Sequence, residues 1–395
     1  MNSSPRHPFS RLAAAALAAS AVVLSSGAAL AQGDTVKIGV ILPMTGPSAS
    51  TGRQIDAAIK LWVAQNGNKA GGKKVEILIK DDGGIADTTR RLAQELVVND
   101  KVVALAGFGL TPLALSSAPI ATQSKTPMVV MAAATSAITE ASPYILRTSF
   151  TLPQAAVSIA DWAAKNKIKK VVTLVADYGP GNDAEKYFAD RFLLNSGQVL
   201  EKLRTPLRGA DFAPVLQKVR DAAPDALFVF LPSGQGAAFM KQYAERGLDK
   251  AGINLIGTGD ITDDDQLNDM GDVALGVVTA HHYSAAHPSP ANKKFVEAFQ
   301  AANKFRPNFM ALGGYDGMRL IYTGLGTTKG AGGEALLAAM KGQIFESPRG
   351  PVLIDGQTRD IVQDIHIRKV ERVNGQLYNI EFDTLKAVKD PGKLK

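Results

Sequence analysis

From Val36 onward the chain alternates between short, β-branched apolar runs and stretches whose apolar residues recur at helical spacing, and few folds accept that pattern. VKIGVIL (36–42) leads into a helical stretch with Ile55, Ile59, Trp62 and Val63. VEILIK (75–80) leads into one with Leu92, Leu96 and Val97, and VVALAG (102–107) into one from Leu113 to Ile120. PMVVMA precedes a helix near Val157 to Trp162. A second series follows: KVVTLVA (170–176) and a helix around Tyr187 to Leu194, DALFVFL (225–231) and a helix around Phe239 to Tyr243, then INLIGTG (253–259) and GVVTA. Runs that are apolar on both faces and separated by helices require parallel strands covered on both sides. The fold class is therefore α/β, with two doubly wound parallel-sheet lobes. After Ala280 a helical block (Phe295, Val296, Phe299; Met318, Leu320, Ile321) gives way to late strand-like runs at 352–354, 361–370 and 377–382. Such an order means that the chain returns to lobes already begun.

The first 31 residues carry Arg6 and Arg11 but no acid, then LAAAALAASAVVLSSGAALA. A charged start, an apolar stretch and the small-residue end Ala29-Leu30-Ala31 read as a signal peptide cleaved after Ala31. No cysteine follows the cleavage point, so no lipid attachment is expected there. Zero cysteines in the whole chain exclude a thiol nucleophile, a disulfide framework and a Cys-based zinc site. The net charge of +7 is a mild bias spread along the chain. Its one basic cluster, KNKIKK (165–170), lacks interleaved aromatics and reads as a solvated helix end, so no nucleic-acid partner is expected.

Ligands of open α/β sheets sit beyond the carboxyl ends of the strands. Here those ends carry PMTG, GFGLT, AAATS (132–136), DYG, PSGQ and GTGD, all rich in small or hydroxylic residues that let backbone N–H groups approach an anion. The loop PMTGPSASTG offers hydroxyls from Ser48 to Thr51. GFGLTP and GTGDIT have Pro112 and Thr262 where a dinucleotide fingerprint needs its third glycine. A GxxxxGK[ST] phosphate loop and a GxSxG elbow are absent, and no base–nucleophile pair stands out, so no enzyme activity and no cofactor are expected.

His281, His282 and His287 form HHxxxxH without a completing ligand and read as structural surface histidines rather than a metal site. Asp263, Asp264 and Asp265 resemble a capped helix start more than a calcium loop. Asp81-Asp82-Gly83-Gly84 is explained by a turn and a cap. Asp260, at a strand end among small residues, is open to two roles, ligand contact and helix capping.

In order and spacing, VKIGVILPMTGPSASTG, VEILIKDD, GFGLTPLALSSAPI, TPMVVMAAATSAITEASPYILRTSF and ADYGPGNDAE resemble the periplasmic substrate-binding proteins of branched-chain amino-acid ABC importers, over essentially the whole mature chain. The resemblance implies a type I periplasmic binding protein fold, its lobes joined by three hinge crossovers, a periplasmic location and, as partner, an ABC permease at the inner membrane. It implies lobes of residues 34–150 with 284–345 and 151–283 with 346–395. A monomer that closes around a small carboxylate is expected, most simply a branched-chain or other aliphatic amino acid, with an aromatic or keto acid as the alternative. A sensor's ligand domain, acting through a separate partner, is a further possibility.

Carried over by position, Thr111 holds the ligand carboxylate with Thr135, Ala133 gives a backbone carbonyl, and Tyr178 supplies the aromatic of DYG. Phe108 and Tyr178 then shape the apolar part of the cleft. Thr51 stands where the family often has an aromatic lid, and Ser233 to Gln235 fill the second lobe's aromatic position without an aromatic. The acid that receives a ligand ammonium falls on Gly259 or Asp260.

Overall fold

The computed structural model describes residues 1–2 and 35–394, so the expected signal peptide and its cleavage site lie outside the described residues. Among the described residues, no helix is long and apolar enough to cross a membrane.

Strands β1 (Thr35–Leu42), β2 (Lys69–Ala70), β3 (Lys73–Asp81), β4 (Ala104–Gly107), β5 (Met128–Val130) and β6 (Ile145–Arg147) form a sheet in the order β2-β3-β1-β4-β5-β6. The neighbours β1/β4, β4/β5 and β5/β6 are parallel. The second sheet holds β7 (Lys170–Ala176), β8 (Gln198–Thr205), β9 (Ala226–Phe230), β10 (Asn254–Thr258), β11 (Val278–His281), β12 (Ile344–Ser347), β13 (Gly350–Ile354), β14 (Ile361–Val373) and β15 (Gln376–Val388). Its order is β12-β13-β14-β11-β10-β9-β7-β8, with β15 also on β14. From β8 to β11 it is parallel, whereas the late strands add antiparallel. Both sheets belong to one compact unit, Val36–Lys395.

The parallel strands are apolar on both faces because helices cover both. Helix α1 (Ala49–Asn66), α2 (Ala86–Val98) and α3 (Thr111–Ser124) follow β1, β3 and β4, while α4 (Leu152–Lys165) and α5 (Gly179–Leu194) open the second layer. Later helices are α6 (Ala213–Ala222), α7 (Gly236–Glu245), α8 (Leu267–Met270), α9 (Pro290–Asn303), α10 (Phe309–Thr328) and α11 (Gly333–Met340). Helix α10 packs along α1 and against β2 and β4, so the chain goes back to the first layer before β12 rejoins the second. The expected α/β architecture of two doubly wound, mainly parallel sheets with three crossings is what forms.

Buried arginines hold the crossings together. Arg349 donates to Asp316 Oδ2 at 2.7 Å and to the carbonyls of Thr148 and Ser149 at 2.9 and 3.1 Å. Arg147 donates to Asp360 Oδ1 at 2.8 Å and to the carbonyls of Ala133, Phe150 and Thr135 at 3.0, 3.1 and 2.7 Å. A guanidinium has five N–H donors in a fixed fork, which lets one side chain tie several backbone segments.

Candidate functional site

In each sheet the strand order reverses between two neighbours, at β1/β4 in the first and β7/β9 in the second. Loops diverge at such a point and leave a crevice. The two crevices face each other and line one cavity. The first sheet contributes Ser48 and Thr51 after β1, Gly109 and Leu110 after β4, and Ala132 to Ala134 after β5. The second contributes Tyr178 and Pro180 after β7, Phe230, Pro232 and Ser233 at the end of β9, and Asp260 after β10. Phe150 and Leu152 from a crossing and Met310 from α10 complete the lining. A wider depression around Arg90, Arg91 and Gln123 shares none of these residues.

Local chemistry shapes each wall. Asp81 accepts from Met44 N–H and Thr45 Oγ1 at 2.9 and 2.7 Å, fixing the start of the Ser48 loop, and Asp82 accepts from Gly84 N–H and Thr89 Oγ1. These acids form the expected turn but not the expected cap, since the N-cap of α2 is Ile85, which has no side-chain cap. At the end of β4, Gly107 has φ +105° and Phe108 φ +66°, a left-handed turn that is uncommon for a bulky residue. It delivers Gly109, where a Cβ would lie 2.7 Å from Pro43 Cγ. Among the described residues, the hydroxyls of Ser48 and Thr51 and the N–H groups of Gly109 and Leu110 have no protein partner. This wall therefore presents donors.

The opposite wall is aromatic, with the rings of Tyr178 and Phe230 stacked at 6.1 Å and 21°. Burial and the nearby Asp260 raise the Tyr178 phenol, so it stays protonated. Asp260 accepts from Thr258 Oγ1 at 2.9 Å, and burial lifts its carboxyl to about 7. Its Oδ2 is 3.8 Å from His281 Nε2. Behind Phe150 lie His281 and His282, ring centroids 4.6 and 4.8 Å away, and burial holds both imidazoles well below their usual range.

Thr51, Ala133, Tyr178, Ser233 and Asp260 are thus brought together, whereas Phe108, Thr111, Thr135 and Gln235 do not line this cavity. Phe108 is fully buried in the first layer's core because its left-handed turn leaves it there. Thr111 and Thr135 hydrogen-bond to each other at 2.8 Å beside Gly179 at the start of α5. Gln235 donates to Leu207 O at 2.8 Å and lines a neighbouring depression. The Ala133 carbonyl, expected to face a ligand, accepts from Arg147 Nη1 at 3.0 Å and Ser149 Oγ at 3.2 Å, which occupies both lone pairs.

Two other expectations need correction. The His281–His282 pair is buried, not superficial, because β11 runs inside the sheet between β10 and β14, with both faces covered. The three acids after Thr262 do not cap one helix. Asp263 accepts from Asn308 Nδ2 at 2.9 Å, Asp264 from Asn379 and the Ala285 N–H, and Asp265 from Ser50 Oγ and Arg53 at 2.6 and 2.7 Å across the cleft. Of the lining residues, Ser48, Gly109 and Phe230 follow from the strand-end rule. Phe150, Leu152 and Met310 had no local signal, because crossings and a distant helix bring them in.

A family model described as periplasmic binding protein matches residues 35–376. The chain is 43% identical over 376 residues to the Leu/Ile/Val-binding protein homolog 6 of Brucella abortus, covering 94% of this chain and 96% of that protein. A solute-binding protein of an ABC transporter from Rhodopseudomonas palustris BisB5, solved in complex with 3,4-dihydroxybenzoic acid, is 62% identical with a TM-score of 0.91, over 92% of this chain and all of that one. Another, from R. palustris, solved with 4-hydroxybenzoate, is 42% identical with a TM-score of 0.89, over 91% of this chain and 99% of that one.

Proposed function

Because the chain belongs to the periplasmic binding protein family and is a solute-binding protein of the ABC-transporter type, we propose that the solute it delivers to its permease is an aromatic carboxylate of the hydroxybenzoate class. The observation that carries this is the Ala133 carbonyl, already saturated by Arg147 and Ser149. An amino-acid ammonium would lose that acceptor and rely on Asp260, whose charged form burial disfavours, and a buried ammonium short of acceptors is costly. A flat ring suits the stacked Tyr178–Phe230 wall and Phe150. Its carboxylate would face Ser48, Thr51 and the Gly109 and Leu110 N–H groups, and a ring hydroxyl would face Asp260 and Tyr178. The two Rhodopseudomonas structures, solved with 3,4-dihydroxybenzoic acid and 4-hydroxybenzoate, point the same way.

An aliphatic amino acid is the second reading, favoured by the Asp260 carboxylate in the cavity and by the Brucella relative's name. On either reading Thr111 and Thr135 support the cleft from beside it, through their contact with α5. We further propose export with cleavage after Ala31, and hinge closure of two lobes, residues 34–150 with 284–345 and 151–283 with 346–395, around the ligand without turnover. Strand β12 pairs within the second sheet from Ile344, which favours moving the last limit to just before it.

Thermal unfolding with a ligand panel tests the reading. At a hundredfold excess over Kd, 4-hydroxybenzoate or 3,4-dihydroxybenzoate should stabilise by about 2.7 kcal/mol. Leucine, isoleucine and valine should leave the melting point unchanged. Stabilisation by leucine alone would sink the aromatic assignment.

A further inference from the structure

Away from the cleft, three metal-competent side chains converge from separate segments: His287 in the loop after β11, His366 on β14 and Glu381 on β15. Their ligating atoms all lie within 4.8 Å of one another. His287 Nδ1 is 2.7 Å from Glu381 Oε2, His366 Nδ1 is 3.6 Å from the same oxygen, and the two imidazole centroids are 5.1 Å apart.

A regular hairpin would not assemble this group. In the β14–β15 ladder His366 faces Thr384 and Ile367 faces Asp383, but Arg368 faces Glu381, so Phe382 is one residue too many. A bulge of this kind re-aims the side chains that follow. Without it Phe382 would stand opposite Arg368 and Glu381 would point to the other face. With it Glu381 joins His366, and Phe382 is left half exposed against the edge of Trp162. The loop is held as firmly. The His287 N–H donates to Ser284 O at 2.9 Å, and the His287 carbonyl accepts from Asn292 Nδ2 at 3.0 Å and the Ser289 N–H at 2.9 Å.

The protein alone does not complete the cluster's bonding. His366 Nε2 and Glu381 Oε1 are buried without a hydrogen-bond partner among the described residues. His366 Nδ1 lies 3.0 Å from Thr384 Oγ1, so Nε2 is the ring nitrogen left without a partner. Arg368 nearby opposes a cation, while Glu381 and Asp364 favour one. Arg368 is itself engaged by Thr279 Oγ1 and the Tyr283 carbonyl. His287 lies at the rim of a surface depression, which leaves solvent access for a further ligand.

We infer that His287, His366 and Glu381 form a binding site for a divalent transition metal of the zinc type. Two imidazoles and one carboxylate are a zinc donor set, whereas calcium and magnesium require mainly oxygens. Metal–ligand bonds of about 2.0–2.2 Å replace the His287–Glu381 hydrogen bond, and water fills the remaining position.

The test uses tag-free, chelator-treated mature protein, titrated with Zn²⁺ by calorimetry and with Co²⁺ by visible absorption. One equivalent of Zn²⁺ should bind, Co²⁺ should develop ligand-field bands, and excess Mg²⁺ should not compete. Glu381→Gln and His287→Gln should each weaken Zn²⁺ binding at least about tenfold, with 4-hydroxybenzoate binding unchanged. Absence of Zn²⁺ binding overturns the site, as does binding that both variants leave intact. If Glu381→Gln fails to fold, His287→Gln, at the accessible end, decides by the same criterion.

Discussion

Two groups of buried charged and titratable side chains are treated in opposite ways. At the crossings, Arg349 meets Asp316 and Arg147 meets Asp360, and each guanidinium also satisfies backbone carbonyls, among them Thr148 O for Arg349 and Thr135 O for Arg147. Asp260 at the cavity has one hydroxyl partner, and behind Phe150 both ring nitrogens of His281 and of His282 lack a hydrogen bond among the described residues. Buried ions persist only when paired, and groups left without partners neutralise instead. The crossings thus keep permanent charge where rigidity is needed, while Asp260 at the cavity is pushed toward its neutral form and keeps hydrogen-bonding capacity to spare for a ligand.

Breaking the paired group should have the largest effect. Arg349→Ala strands Asp316 in the interior and should cost about 3–5 kcal/mol in denaturant unfolding. Arg349→Met combined with Asp316→Leu should recover most of that loss. A cost below about 1 kcal/mol for the single variant would remove the contrast between the two groups.

At the cavity the effect should appear in binding. Tyr178→Ala removes one ring of the stacked wall and should weaken 4-hydroxybenzoate by about 1–2 kcal/mol, roughly tenfold, by calorimetry. Its stability should change less than that of Arg349→Ala. Unaltered affinity would mean that the Tyr178–Phe230 wall does not touch the ring.

The pH dependence sharpens the comparison further. Asp260 titrates near 7 in the folded protein, above its ordinary 3.8, so between those values the folded state holds a proton that the unfolded chain has released. Stability from this group therefore falls as pH rises through that window. His281 and His282, held below their ordinary value, act oppositely and cost stability as pH falls below about 6.5. Asp260→Asn removes only the first contribution. Its melting temperature should rise relative to the parent protein between pH 5 and pH 7.5, and a constant difference would show that Asp260 is ionised throughout.

The smallest effect is expected from Asp265→Ala, which cuts the cleft-spanning contact to Ser50 and Arg53. Arg53 is half exposed, so the loss should be about 0.2–1 kcal/mol, read as a few-fold weaker ligand binding.

Legibility followed burial. Strands such as Val171 to Ala176, apolar on both faces, were visible in the sequence. Strand β8, QVLEKLRT at the sheet edge, was not, because its partly exposed residues make no apolar run. Helix α6 was missed too, with only Leu216 and Val219 buried. Among site residues, Tyr178 and Asp260 were readable because they follow parallel strands, where backbone topology already assigns them to a crevice. The occupied Ala133 carbonyl was not readable, since its partner Arg147 is 14 residues away and carries no motif. Nor was the Glu381 cluster, which depends on a one-residue bulge.

By itself, the sequence determined a family, two doubly wound sheets and the loops that meet between them. Periodicity and strand-end chemistry are local properties, and they survive being read in one dimension. Only the tertiary structure decided which carbonyls remain free, which acids stay neutral and which histidines are buried. Each of those depends on partners tens to hundreds of residues distant and on how completely water is excluded.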